Sequence, residues 1–244
     1  MLIAEPQTTS FDVHFRIGKI PVRVHPLFWV ITLVFGALNV QYLPINLLVG
    51  IALWTAAVAV SILVHELGHA LVAKLHGWPP RIVLYGMGGL AIYTPTRQTR
   101  KSRILIDFAG PGAGFVLGGL VLAGVLLSGH SVNLFGIELG SGPNFAGLGR
   151  LELFVSFMLY VNFFWGLMNL LPIQPLDGGG IAKAIIDKYR PRDAWPVALK
   201  LSIGTAIVVG LVGLVLWKSV FIAVLFGMLA YNNWQMLQQV RQYG

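Results

Sequence analysis

Between residues 27 and 236 the chain returns six times to a long, nearly uncharged apolar run, at 27–43, 45–71, 104–128, 153–171, 197–216 and 220–236. A helix needs about 20 such residues to cross the hydrocarbon of a bilayer, so each run reads as a membrane span. The run at 27–43 is the shortest and starts at His25-Pro26; if it is re-entrant, five spans remain. The last two runs are separated only by Trp217-Lys218-Ser219, which predicts a tight helical hairpin. Apolar residues make up 56% of the 244 and charged residues 11%. Soluble domains carry roughly 45–50% and 25%, and a mean hydropathy of +0.76 leaves too little polar surface to coat a water-exposed globule. The expected class is an all-α polytopic membrane protein, with residues 1–244 as one integral-membrane domain. Residues 1–26 form its cytoplasmic N-terminal segment and hold no cleavable-signal pattern, because charged residues precede any long apolar stretch.

The net charge of +8 invites a nucleic-acid reading, but the basic residues fall between apolar runs rather than on one folded polar face. Their placement sets orientation instead. Of 17 Lys and Arg, 15 lie in the N-terminal segment, the 74–103 loop, the 183–200 loop and the C-terminus; only Arg150 and Lys218 lie on the alternate connections. Cytoplasmic loops carry the basic excess, so both termini are expected in the cytoplasm. The partner this implies is a lipid bilayer, with no nucleic acid. Two connections look structured. Residues 81–93 interleave β-branched and aromatic residues with a glycine cluster, which predicts a strand pair. Residues 178–190 begin with three glycines and continue as a short amphipathic helix.

The chemistry lies in the second span, which contains His65-Glu66-Leu-Gly-His69. Ionisable groups inside a span cost roughly 2.5–3.5 kcal/mol each at the bilayer centre by insertion scales, so they mark function by default. Residues four apart share a helical face, so His65 and His69 can ligate one metal ion. Glu66 points about 100° away, where a carboxylate serves as general base without entering the ligand set. With no cysteine in the chain, a metal must sit on His, Asp or Glu. The alternative is that these side chains only bond neighbouring helices. Gly68 leaves room for another backbone.

A third ligand is sought at the end of the fourth span, in Asn169-Leu-Leu-Pro172-Ile-Gln-Pro175-Leu-Asp177-Gly-Gly-Gly180. Two prolines break the helix and leave Asp177 on an irregular segment; its alternative role is to cap the following helix. The second and fourth spans both run inward, so His65, His69 and Asp177 arrive on the cytoplasmic side. Asp107, four residues after Arg103, is expected to pair with that arginine rather than bind metal. His25 reads as an interfacial anchor, and Gly110, Gly114 and Gly118 as close helix packing with no chemistry.

These motifs resemble the site-2 protease family of intramembrane zinc metalloproteases, over most of the chain. His-Glu-x-x-His in one span and Asn-x-x-Pro-x-x-Pro-Leu-Asp-Gly at the end of a later one carry the likeness. Ala109-Gly110-Pro111 is similar to a family element, and Gly86-Met-Gly-Gly-Leu-Ala91 to its glycine-rich re-entrant β segment. Gly114 stands where relatives often have Asn, and neither the PDZ nor the CBS domain of many relatives fits within this sequence.

The resemblance implies one Zn²⁺ per chain on His65, His69 and Asp177, with Glu66 as catalytic base. It places Asn169 near the catalytic centre, and Gly88 and Gly89 with it in the substrate-binding part of the site. It implies cleavage of the transmembrane segments of single-span protein substrates near the cytoplasmic leaflet of a prokaryotic inner membrane. An edge of the 81–93 segment is expected to hold the unwound substrate by strand addition. Two rivals are a divalent-metal transporter, which would spread ligands over several helices, and a catalytically inactive membrane scaffold of the same fold, which an intact Glu66 argues against.

Overall fold

A computed structural model describes residues 5–86, 88–145 and 149–243. Met87, inside the glycine-rich segment, lies outside the described residues. The elements in chain order are β1 (Val13–Ile17), β2 (Ile20–Val24), α1 (Pro26–Val40), α2 (Leu47–Leu75), β3 (Arg81–Tyr85), β4 (Gly88–Ile92), α3 (Arg100–Leu127), β5 (Val132–Leu134), β6 (Ile137–Leu139), α4 (Arg150–Tyr160), a π-helical turn (Val161–Trp165), α5 (Gly166–Asn169), α6 (Asp177–Tyr189), α7 (Ala194–Val215) and α8 (Val220–Tyr243). Among the described residues, five helical segments are long and apolar enough to cross a membrane: Leu47–Leu75, Arg100–Leu127, Arg150–Asn169, Ala194–Val215 and Val220–Gln242. The chain is a polytopic integral membrane protein. The first expected span is the 15-residue helix α1. At 1.5 Å per residue it reaches about 22 Å, short of the roughly 30 Å hydrocarbon.

The chain forms two compact units. The first comprises residues 1–96 and 109–166. Its centre is α2, whose ends are fixed locally. Asn46 accepts from the N–H groups of Leu48 and Val49, an N-cap. At the other end Trp78 N–H donates to Ala73 and Gly77 N–H to Lys74, with Gly77 at φ +80°; this Schellman closure needs the left-handed residue that glycine supplies. α1 is capped by His25, whose Nδ1 accepts from Leu27 N–H at 3.1 Å, with Pro26 in the first turn.

Residues 81–92 form the expected hairpin β3–β4. The N-terminal segment is more than a tail: β1 and β2 form a hairpin, and β2 pairs in parallel with β3. The result is a four-stranded sheet in the order β1-β2-β3-β4. Ile20, Val22 and Val24 of β2 and Ile82 and Leu84 of β3 are buried with Phe28 of α1 and Trp54, Val58 and Ile62 of α2 in one apolar cluster. A second small hairpin, β5–β6, turns at Phe135-Gly136, both with positive φ, the geometry of a type I′ turn.

The second unit comprises residues 97–108 and 167–244, so α3 starts in it and continues into the first. Here Ile173 packs with Ala206 of α7 and Phe226, Leu229 and Ala230 of α8. α7 and α8 form the expected hairpin, and Ile222 fills the space over Gly213 where a Cβ would stand. Small residues let helix backbones approach closely in a membrane, where lipid removes the hydrophobic drive between helices.

Candidate metal and catalytic site

The regularity of α2 turns sequence spacing into geometry. His65 and His69 stand one turn apart, with Nε2 atoms 3.1 Å from each other and ring centroids 4.9 Å apart. One ligand atom from each of His65, Glu66 and His69 fits within a 4.8 Å span. Two imidazole nitrogens on bonds of about 2.0–2.1 Å to one tetrahedral ion lie about 3.3 Å apart, so this pair already has the separation a zinc ion needs. Two nitrogens and a carboxylate are also a donor set zinc accepts. Glu66 and His69 are buried and His65 is half-buried.

The walls around this cluster are glycine. Gly89 of β4 lies on the Glu66 side chain so closely that a Cβ there would overlap its Cγ. Gly88 has φ +118° and open space around it, a backbone conformation suited to glycine. On α3, Gly110 lies against the His69 imidazole at Nε2, and Gly68 of α2 lies against the Ala109 carbonyl. Gly110 was expected to serve helix packing alone. It also fixes a candidate metal ligand, and the helical alternation of glycines carried no sign of which neighbour it would meet.

One turn before His65 on the same face, Ser61 Oγ accepts from Asn162 Nδ2 at 2.8 Å. Asn162 also donates to the Met158 carbonyl. It is the second residue of the π-helical turn and is buried. Gly114 and Gly118 pass beside Asn162. Neither Ser61 nor Asn162 stood out in the sequence, because a lone small polar residue in a span carries no spacing signal.

In the second unit, Asn169 ends α5 and is buried. Asp177 opens α6 as a first-turn residue after the N-cap Leu176, and its Oδ2 is buried. The three glycines after it let α6 start tightly against its surroundings: Gly178 meets the Leu170 carbonyl, Gly179 the Ile173 backbone and Gly180 the Asp107 carboxylate. The broken segment is held from two helices. Gln174 N–H donates to Ser202 Oγ of α7 at 3.0 Å, and Asn233 Nδ2 of α8 donates to the Gln174 carbonyl at 2.7 Å. Asp107 has Arg103 Nε at 3.8 Å, one turn away. On α6, burial and then the nearby Arg103 charge hold the Lys183 ammonium below the usual lysine range, against the opposing pull of Asp187. The Lys183 ammonium lies 5.3 Å from the centre of the Trp195 ring.

Residues 53–211 match the model of peptidase family M50. The chain is 28% identical over 212 residues to a zinc metalloprotease of Methanocaldococcus jannaschii, covering 86% of this chain and 56% of that protein. It is 27% identical over 192 residues to stage IV sporulation protein FB of Bacillus subtilis, covering 78% and 56%. The chain thus spans little more than half the length of these curated relatives. The solved structure of a site-2 protease from Methanocaldococcus jannaschii superposes with a TM-score of 0.57 at 24% identity, over 93% of this chain and 95% of that one. That likeness establishes a shared fold.

Proposed function

The chain belongs to peptidase family M50, and from that premise we propose that it is a zinc-dependent intramembrane endopeptidase, cutting the transmembrane segments of single-span proteins near the cytoplasmic leaflet. The observation that carries this reading is the pair of imidazole nitrogens 3.1 Å apart beside a buried glutamate on a spanning helix. One zinc per chain is proposed, held by His65, His69 and Asp177. Support for Asp177 is its buried carboxylate oxygen, on a backbone pinned by Ser202 and Asn233.

When bound, zinc supplies Lewis acidity: it polarises a carbonyl and makes water acidic enough to attack near neutral pH. Glu66 takes a proton from the attacking water and passes it to the leaving amine. Its carboxylate is held against Gly89, so β4 backbone borders the place where the peptide must lie. β4 pairs with β3 alone among the described residues. Its other edge presents the unpaired main-chain groups that a strand-shaped substrate needs. A helical substrate hides its carbonyls in i→i−4 bonds and must unwind first, and pairing with β4 around Gly88 and Gly89 replaces those bonds. Asn169 is proposed on the substrate-binding side of the same site.

The cytoplasmic placement rests on the 15-to-2 division of basic residues. It supports both termini in the cytoplasm, with α1 counted as the first of six spans, and the resemblance supports a prokaryotic inner membrane. The deciding experiment incubates purified protein in liposomes with a single-span substrate, next to Glu66→Gln, and measures divalent-metal flux in the same vesicles. Cleavage by wild type alone supports the protease. Flux without cleavage supports a transporter, and neither activity supports an inactive scaffold.

A further inference from the structure

The four-stranded sheet buries one face on α1 and α2, and the register shows where that face runs out. Val13 pairs with Val24, Phe15 with Val22 and Ile17 with Ile20. These pairs share one side of the sheet, because successive residues of a strand alternate sides. On β2 all three partners are buried, and Ile17 packs on the same apolar cluster. On β1 the face continues past its cover: Val13 is 49% exposed, Phe15 40%, and Phe11 just before the strand 80%. His14 and Arg16 occupy the opposite side. Arg16, on that opposite side, and Lys19, in the turn at the end of the ledge, are both exposed.

We propose that the β1–β2 hairpin is a membrane-surface element that sets Phe11, Val13 and Phe15 into the interface of the bilayer, with Arg16 and Lys19 on anionic lipid headgroups. Two observations select lipid as the occupant. The ledge is continuous with a face already packed on α1, a helix whose Leu27, Trp29, Val30, Leu33 and Val34 are exposed apolar side chains in a membrane protein. β2 also leads into α1 across His25 alone, so the hairpin cannot leave the surface at which α1 enters. The chemistry matches as well. Aromatic side chains favour the headgroup level, long basic side chains reach back to phosphate, and anionic lipids draw basic segments to a membrane surface. The hairpin would thereby hold the sheet, and β4 at its other edge, level with the bilayer surface. This inference rests on the membrane spans and is independent of the proteolytic reading.

The chain has no cysteine, so single-cysteine variants carry an environment-sensitive NBD label at one position each. His14→Cys, Val13→Cys and Phe15→Cys are reconstituted in phosphatidylcholine vesicles containing phosphatidylglycerol, with and without nitroxide-bearing lipid, and titrated with aqueous iodide. Labels at 13 and 15 should lose at least half their emission to nitroxide lipid and resist iodide; the label at 14 should do the reverse. Two labelled positions on the ledge guard against a single variant that fails to fold. Replacing phosphatidylglycerol with neutral lipid, or introducing Arg16→Glu with Lys19→Glu, should at least halve the nitroxide effect. Iodide quenching equal at all three positions would overturn the proposal. So would protection at 13 and 15 that disappears on dilution of protein in lipid, which would make a second copy the occupant.

Discussion

Gly110 lies so close to the Nε2 of His69 that a single methyl group on its Cα would occupy the space of the imidazole. Two helices therefore meet at a candidate metal ligand with no slack between them. Gly110→Ala should displace His69 and lower zinc affinity about 10–100-fold, the range for residues that support metal ligands, while the helical circular dichroism stays unchanged. Gly119→Ala, on the same helix with open space around it, should bind zinc like wild type. Metal titration of the two variants measures the difference.

Glu66→Gln should keep the fold and the bound metal while cleavage falls by about 10²–10⁴, the usual contribution of a general base. Metal content and product release from a single-span substrate are read on the same preparation. Full activity would assign water activation to another group, and loss of zinc would make Glu66 a ligand.

Asp107 and Asp177, the two candidate ligand carboxylates of the second unit, separate by local geometry. Asp107 stands in regular helix with Arg103 one turn away and Gly180 against its oxygen, whereas Asp177 opens α6 from a broken backbone. Asp177→Ala should reduce zinc affinity by at least 10–100-fold and abolish cleavage. Asp107→Asn should retain zinc and most activity. Parallel metal analysis and cleavage assays check this, and the opposite order would remove Asp177 from the ligand set.

Cysteines placed singly at Gln41, Ser141 and Lys218 should react with a membrane-impermeant maleimide from the outside of intact cells. Those at Thr96 and Arg192 should react only after permeabilisation, as the basic-residue division requires. Labelling of Thr96 in intact cells would invert the orientation and move the site to the other leaflet.

What the sequence made legible was whatever depends on a short repeat. His65 and His69 were placed by one helical turn, the spans by runs of apolar residues, and the β3–β4 hairpin by a glycine cluster between strand formers. The β1–β2 hairpin is also written locally, in the alternation of Val13, Phe15 and Ile17 and of Ile20, Val22 and Val24 around Gly18. Arginine and histidine fill its other side and hide the pattern from a count of charges. Its parallel pairing with β3, nearly 60 residues on, has no local signal at all. Ser61–Asn162 and Gln174–Asn233 are likewise single polar residues joined by the fold, and Gly110 could be read as small without revealing that its neighbour is His69.

Gln174 hangs by its own peptide groups between two helices, its N–H on Ser202 and its carbonyl on Asn233. The turn that leads to Asp177 therefore takes its shape from residues some thirty and sixty positions downstream. A chimera that grafts the first spans of this chain onto a foreign final pair would inherit every motif residue and still lack this suspension. Only when a hydroxyl and an amide are transplanted with them, at the heights of Ser202 and Asn233, would the borrowed helices present the aspartate as these do.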